Sequence, residues 1–346
     1  MTLVKIKNKT ISDSSPLFVV TETGTTCNGD LETALKMVDA AKSAGADAIK
    51  FMIIGHEYFM SDKTVTYEYE WKGGRKSENM FDMFKGLTFS EADWMKIRDY
   101  CIAKDIIFFA TVDYILGVDF AEKLQVPAYK ISSWDAANYP LIRKMARTGK
   151  PIILDTGPIT LPELEKTLEV IHKEGNDQVI LLHCSHSKDD AGVNLYSIPF
   201  LKSVFSVPVG YSADNTDPVP DIAAISLGAN VIEKRLTLDR SFPGHHHLKA
   251  LEPGEYKEYI DSIRRVKNLL GGYYVKPSAE DLHQKAMYYV SITADCDIPQ
   301  GTVITENMLA CKRPGTGISP EFLDIIIGRQ ARRDIKNNEQ FGWDAV

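Results

Sequence analysis

"PIILDTGPITLPELEKTLEVIHKEGNDQVILLHC", residues 151–184, holds two short apolar runs, 151–157 and 179–184, on either side of a segment with a different rhythm. Between them, "LPELEKTLEVIHKEG" (161–175) repeats apolar residues at helical spacing and ends near a glycine. A run, an amphipathic helix and a second run read as two parallel strands joined by a crossover helix.

The same unit recurs along the chain. Further runs are "LFVVTE" (17–22), "AIKFM" (48–52), "IIFFATV" (106–112), "AYKISS" (128–133), "PVGYS" (208–212) and "NVIEKRLTL" (230–238), with helical stretches such as "DLETALKMVDAAKSAGA" between them. Eight such units fit a closed TIM (β/α)8 barrel better than an open doubly wound sheet, because no GxGxxG turn follows the first strand. The prediction is a barrel over 1–270 with an N-terminal hairpin, a linker over 271–284 ("GGYYVKPSAED" and beyond), and a small strand-and-turn domain over 285–346. A module that small is marginal alone and is expected to dock on something.

Composition narrows the function classes. With 346 residues and 44% hydrophobic content, the chain can bury a large core, and a formal charge of −7 gives no global reason to bind nucleic acid or an anionic membrane. The cysteines, Cys27, Cys101, Cys184, Cys296 and Cys311, are widely spaced and form no CxxC pair, as expected of reduced thiols in the cytoplasm. Neither a signal-peptide apolar region nor a membrane-length apolar run is present in the sequence.

Barrel enzymes place their chemistry at the C-terminal ends of the strands. At or near those ends stand Glu22, Lys50, Asp113, Lys130, Ser133, Asp155, His183, Ser212, Glu233, Lys234 and Arg235. A lysine on a strand buried on both faces is costly unless it has a partner or a ligand. Lys50, Lys130 and Lys234 together point to a strongly anionic ligand, with ion pairs to Glu22, Asp155 and Glu233 as the structural alternative. The long aromatic stretch from Gly55 to Ser90 follows the second strand and reads as a lid or binding loop, or as an ordered surface excursion.

These pieces, with "TETGTTCNGDLETALKMVDAAKSAGADAIKF" (21–51), "GKPIILDTG", "VPVGYS", "LGANVIEKRLTLDR", "LEPGEYKEYIDSIR" and "RPGTGISPEFLDIIIGRQARRDIK", together resemble the sialic acid synthase (N-acetylneuraminate synthase) family. The last stretch resembles that family's C-terminal antifreeze-like (SAF) domain. The resemblance implies condensation of phosphoenolpyruvate with an amino-sugar aldose to a nonulosonic acid, a step in bacterial surface-polysaccharide synthesis. It implies that Lys50, Lys130, Ser133 and Ser212 hold phosphoenolpyruvate, with His183 and Asp155 as further substrate contacts. Glu22 and Glu233 become candidates for proton transfer beside the reacting carbons. Arg313 becomes the residue that reaches a partner's sugar site in a domain-swapped homodimer.

The departures bear on the metal. The family's "YSDHT" and "EKHFTLD" carry two histidines that bind a divalent ion, Mn2+ or Mg2+. Here "YSADN" and "EKRLTLD" put Asp214 and Arg235 at those positions, and a guanidinium cannot coordinate a cation. "NHNG" becomes "TCNG", a serine becomes Asp155, and "PGPDHKAS" becomes "PGHHHLKA". Three readings of the histidine run stay open. One or two of them, His245 foremost, serve as replacement metal ligands beside Asp214 and Glu233, or His246 and His247 act on the sugar as hydrogen-bond or acid–base groups, or all three are exposed loop imidazoles. The second pairs with a metal-independent reaction in which Arg235 offsets the developing oxyanion. Two rival functions remain: a Schiff-base aldolase using a barrel lysine of lowered pKa, and a non-catalytic binding or scaffold homologue.

Overall fold

Each of the eight runs becomes one strand of a single closed parallel barrel. The strands are β1 (Phe18–Glu22), β2 (Ala48–Ile53), β3 (Ile107–Val112), β4 (Tyr129–Ile131), β5 (Ile152–Asp155), β6 (Val179–Cys184), β7 (Val209–Ala213) and β8 (Val231–Arg235). They pair in chain order, and β8 closes on β1. The structure is a computed structural model that describes residues 3–346 apart from Lys188 and Tyr273.

Both faces of these strands are covered, so their residues are apolar without alternation; all of β3 and β6 is buried. Eight helices form the outer layer: α1 (Leu31–Ala44), α2 (Glu91–Ala103), α3 (Ile115–Lys123), α4 (Tyr139–Ala146), α5 (Leu161–Lys173), α6 (Ser197–Phe205), α7 (Val219–Ser226) and α8 (Pro253–Leu270). The helix of the opening stretch, α5, begins where Thr160 N–H donates to Glu163 Oε2 (2.8 Å), and it buries Leu164, Leu168 and Ile171. Each such apolar side chain contributes about 1.5–3 kcal/mol by leaving water. An N-terminal hairpin, Val4–Ile6 with Lys9–Ile11, adds Val4, Ile6 and Ile11 to the same core.

The excursion after β2 is ordered. It contains an antiparallel hairpin, Thr66–Trp71 with Gly74–Asn79, followed by a helix, Met80–Gly86. No helix among the described residues is long and apolar enough to cross a membrane.

The chain divides into two compact units, Met1–Gly271 and Gly272–Val346. The segment expected to be a linker over 271–284 instead enters a helix, Ala279–Tyr288. Ser278 and Asp281 cap it reciprocally, with Asp281 N–H donating to Ser278 Oγ at 3.1 Å and Ser278 N–H to Asp281 Oδ2 at 2.8 Å. Polar composition concealed that Ser-x-x-Asp signal. The second unit pairs Ser291–Ala294 with Leu309–Lys312 around its own core of Ile292, Ile298, Ile304, Ile318, Ile326 and Phe341.

Candidate active site

Register decides which strand-end side chains meet. Arg235 of β8 pairs with Glu22 of β1, which pairs with Lys50 of β2, while Ser212 of β7 lies between Cys184 of β6 and Glu233 of β8. Laterally paired residues of parallel strands share a face, so these side chains line one cavity of about 540 Å³ inside the mouth of the barrel. Thr111, Lys130, Ser133, Asp155, Asp214, His245, His246 and Lys249 also line it.

A continuous chain of charges crosses the cavity floor. Lys50 Nζ contacts Glu22 and lies 2.9 Å from Glu233 Oε1. Lys130 Nζ lies 2.9 Å from both Glu233 oxygens and 2.9 Å from Asp155 Oδ2. Burial works against ionisation of Glu233, but Lys130 and Lys50 overcome it and hold its carboxyl down at about 2. For Asp155 the balance tips the other way: burial outweighs Lys130 and pushes it up to about 6. Lys130 itself is held above the usual lysine range, because Asp155 and Glu233 outweigh its burial. That is opposite to the lowered pKa a Schiff-base lysine needs.

Two glycines keep this floor in place. Gly24 N–H donates to Glu22 Oε1 at 2.7 Å. Gly157 has a φ of +47°, and a Cβ there would come within 2.2 Å of Ser133 Cβ.

The cavity wall around Arg235 carries the second cluster. Arg235 Nη2 lies 3.3 Å from Asp214 Oδ1, and Nη1 lies 3.3 Å from Thr25 Oγ1 and 3.8 Å from Glu22 Oε1. Lys249 Nζ takes the other Asp214 oxygen at 2.5 Å. Tyr67 from the hairpin approaches His245 Nε2 at 3.0 Å, and Thr25 Oγ1 lies 3.0 Å from His246 Nδ1. Burial, reinforced by Arg235, lowers both imidazoles, His245 to about 3 and His246 well below its usual value. Both rings are therefore neutral hydrogen-bonding groups at pH 7.

This donor set does not suit a divalent ion. Asp214 already neutralises two cations, and any ion beside it would face the Arg235 guanidinium. Among the described residues, no three His, Cys, Asp or Glu side chains converge as metal ligands. Asp214 and His245, expected as ligands, are engaged by the protein itself. Asp214 holds Arg235 and Lys249, and His245 packs edge-on against Tyr67 with ring centroids 4.8 Å apart.

Residues 37–274 match the NeuB family, and residues 289–346 match the SAF domain. The chain belongs to the NeuB family. It is 35% identical, over 99% of its length and 98% of the relative's, to a Methanocaldococcus jannaschii protein described as uncharacterized. It is 32% identical to the N,N'-diacetyllegionaminic acid synthase of Legionella pneumophila, covering 96% of this chain and 95% of that one. The crystal structure of an N-acetylneuraminic acid synthetase from Leptospira borgpetersenii, in complex with citrate, superposes with a TM-score of 0.73 at 28% identity, covering 82% of this chain and 95% of that one. Its relatives thus include synthases of legionaminic and N-acetylneuraminic acids, and this chain joins a NeuB-family barrel to a SAF domain.

Within this NeuB-family barrel, Glu22, Lys50, Lys130, Ser133, Asp155, Ser212, Glu233, Arg235 and His246 converge on the cavity. His183 and His247 do not. His183 alternates to the outer face of β6, where its Nε2 lies 2.7 Å from the Val193 carbonyl oxygen. His247 is fully buried behind the loop, with Nδ1 2.7 Å from Thr237 Oγ1 and Nε2 3.2 Å from Asn28 Oδ1. It stands outside the cavity lining, held by these protein partners. Arg313 lies in the second unit, exposed, donating from Nε to the Tyr288 carbonyl at 2.7 Å.

Lys234 also leaves the group of anion-binding lysines. It points outward from β8, pairs with buried Asp221 at 2.6 Å and lies over the Tyr259 ring at 5.2 Å. Strand alternation, applied one residue at a time, separates it from Glu233 and Arg235. Sequence reading missed His186, Tyr67 and Lys249. His186 Nε2 lies 3.1 Å from Ser133 Oγ, and its ring stacks on Trp134 at 4.8 Å. Its signal in the sequence is "CSHSKDD" (184–190), which puts an imidazole two residues past the sixth apolar run.

Proposed function

We propose that this NeuB-family chain condenses phosphoenolpyruvate with the open-chain form of an N-acylated amino-sugar aldose, giving a nonulosonic acid and inorganic phosphate. The observation that carries the reading is the pair Lys50 and Lys130, held at strand ends by Glu22, Glu233 and Asp155 beside Ser133 and Ser212. Fixed cations and hydroxyls of this kind suit a phosphate and a carboxylate on one small molecule. The legionaminic and N-acetylneuraminic acid synthases among its relatives support an amino-sugar acceptor.

C3 of phosphoenolpyruvate attacks the aldehyde carbon, water adds at C2, and phosphate leaves from C2. Arg235 offsets the charge that develops on the aldehyde oxygen, and its Nε is buried without a hydrogen-bond partner among the described residues. Glu233 stays ionised and positions both lysines; Glu22, beside Arg235, is the better placed proton-transfer group. Neutral His246 serves as a hydrogen-bonding group for the acceptor. Arg313 acts from a second copy in a domain-swapped dimer, and the reaction belongs to the cytoplasm.

Phosphate release from phosphoenolpyruvate, measured with a panel of N-acylated hexosamines on chelator-stripped protein with and without manganese, tests this. Release that requires an aldose and no metal supports both the condensation and the role of Arg235. Release only with manganese overturns that role. Phosphoenolpyruvate binding without release from any aldose favours a binding or scaffold function.

A further inference from the structure

We infer that Asp155 takes up a proton when phosphoenolpyruvate binds; this rests on the cavity being the phosphoenolpyruvate site. The charged side chains lining the cavity are Glu22, Asp155, Asp214 and Glu233 against Lys50, Lys130, Arg235 and Lys249, so the charges cancel before any ligand arrives. A ligand carrying a phosphate and a carboxylate brings uncompensated negative charge into a buried site, and a proton is the simplest counter-charge available.

Geometry selects the residue that receives it. Glu22 is held by Lys50 and the Gly24 N–H, Glu233 by both lysines, and Asp214 by Arg235 and Lys249. Asp155 places Oδ2 on Lys130, whereas its Oδ1 is buried with no hydrogen-bond partner among the described residues. The charged and titratable groups around it are Lys130 from β4, Glu233 from β8, Lys50 from β2 and Cys184 from β6, with His186 beyond β6 next to Ser133. An ionised Asp155 would add its charge to that of the ligand in one buried site, whereas a protonated one does not. Burial already lifts this carboxyl to about 6, and the charge of a ligand in the same cavity raises it further, to where it keeps the proton at pH 7.5. The proton comes from solvent and settles on Oδ1; no other bond changes.

Calorimetric titration of the full chain with phosphoenolpyruvate at pH 7.5, in buffers of different ionisation enthalpy, reads proton uptake directly. The wild type is expected to take up about one proton per ligand, and its Kd to weaken by up to about tenfold per pH unit above neutrality. Asp155→Asn is expected to take up almost none and to show a flat Kd. Sulfate, which gains no proton in this range, is the second probe: uptake on its binding to the wild type assigns the proton to the protein even where the variant does not fold. Binding without uptake, or equal uptake in Asp155→Asn, overturns the inference alone. No phosphoenolpyruvate binding in either protein overturns the site reading and this inference with it.

Discussion

Replacing Lys130 with methionine removes the cation on which Glu233 and Asp155 both converge. Its Nζ makes three contacts of 2.9 Å with those carboxylates, and its side chain is only 1% exposed. Breaking a buried ion pair by deleting one partner costs about 3–5 kcal/mol. Lys50 remains on Glu233, so the lower end, about 3 kcal/mol, is expected. For a unit of this size that corresponds to a fall in Tm of about 6–12 °C at pH 7.5.

Acid should narrow the gap. In the wild type Glu233 is depressed to about 2, so its stabilisation is present above the unfolded value near 4.5 and lost as pH falls through the folded one. Asp155 is already raised in the wild type; without Lys130 it rises further and Glu233 loses most of its depression, so the penalty is full at high pH and is relieved as they take up protons. Thermal melts of both proteins at several pH values between 7.5 and 5, with phosphate release alongside, check this. Release should fall by at least about a thousandfold, since a fixed charge at the reacting ligand is lost. An unchanged Tm at pH 7.5, or a gap that widens in acid, would refute the ion-chain reasoning.

Arg235→Met should lower turnover by about a hundredfold or more with little change in phosphoenolpyruvate affinity, a kcat-against-KM split read from steady-state kinetics. Gly157→Ala should cost about 1–3 kcal/mol from its positive φ and raise KM for phosphoenolpyruvate as Ser133 is displaced, seen in melts and kinetics together. His247→Ala should lower stability by about 1–3 kcal/mol, since it leaves Thr237 and Asn28 without their partner, and should leave the pH profile of kcat unmoved.

The barrel was readable in the chain because buried parallel strands require unbroken apolar runs and their crossover helices require a 3.6-residue rhythm. The cationic floor was readable for a related reason: Lys50 and Lys130 stand where a buried charge has no purpose without a partner. Order along the chain cannot say which neighbours share a face across the barrel. Glu233 and Lys234 are adjacent, yet one enters the cavity and the other pairs with Asp221 outside it, since side chains of a strand alternate. The same alternation sends His183 outward, and the loop buries His247 while leaving His246 in the cavity. Sequence determined that the barrel mouth holds cations, carboxylates and hydroxyls. Which of them meet was decided by strand register and loop closure, because contacts such as Lys130 to Glu233, 103 positions apart, exist only once the sheet has closed.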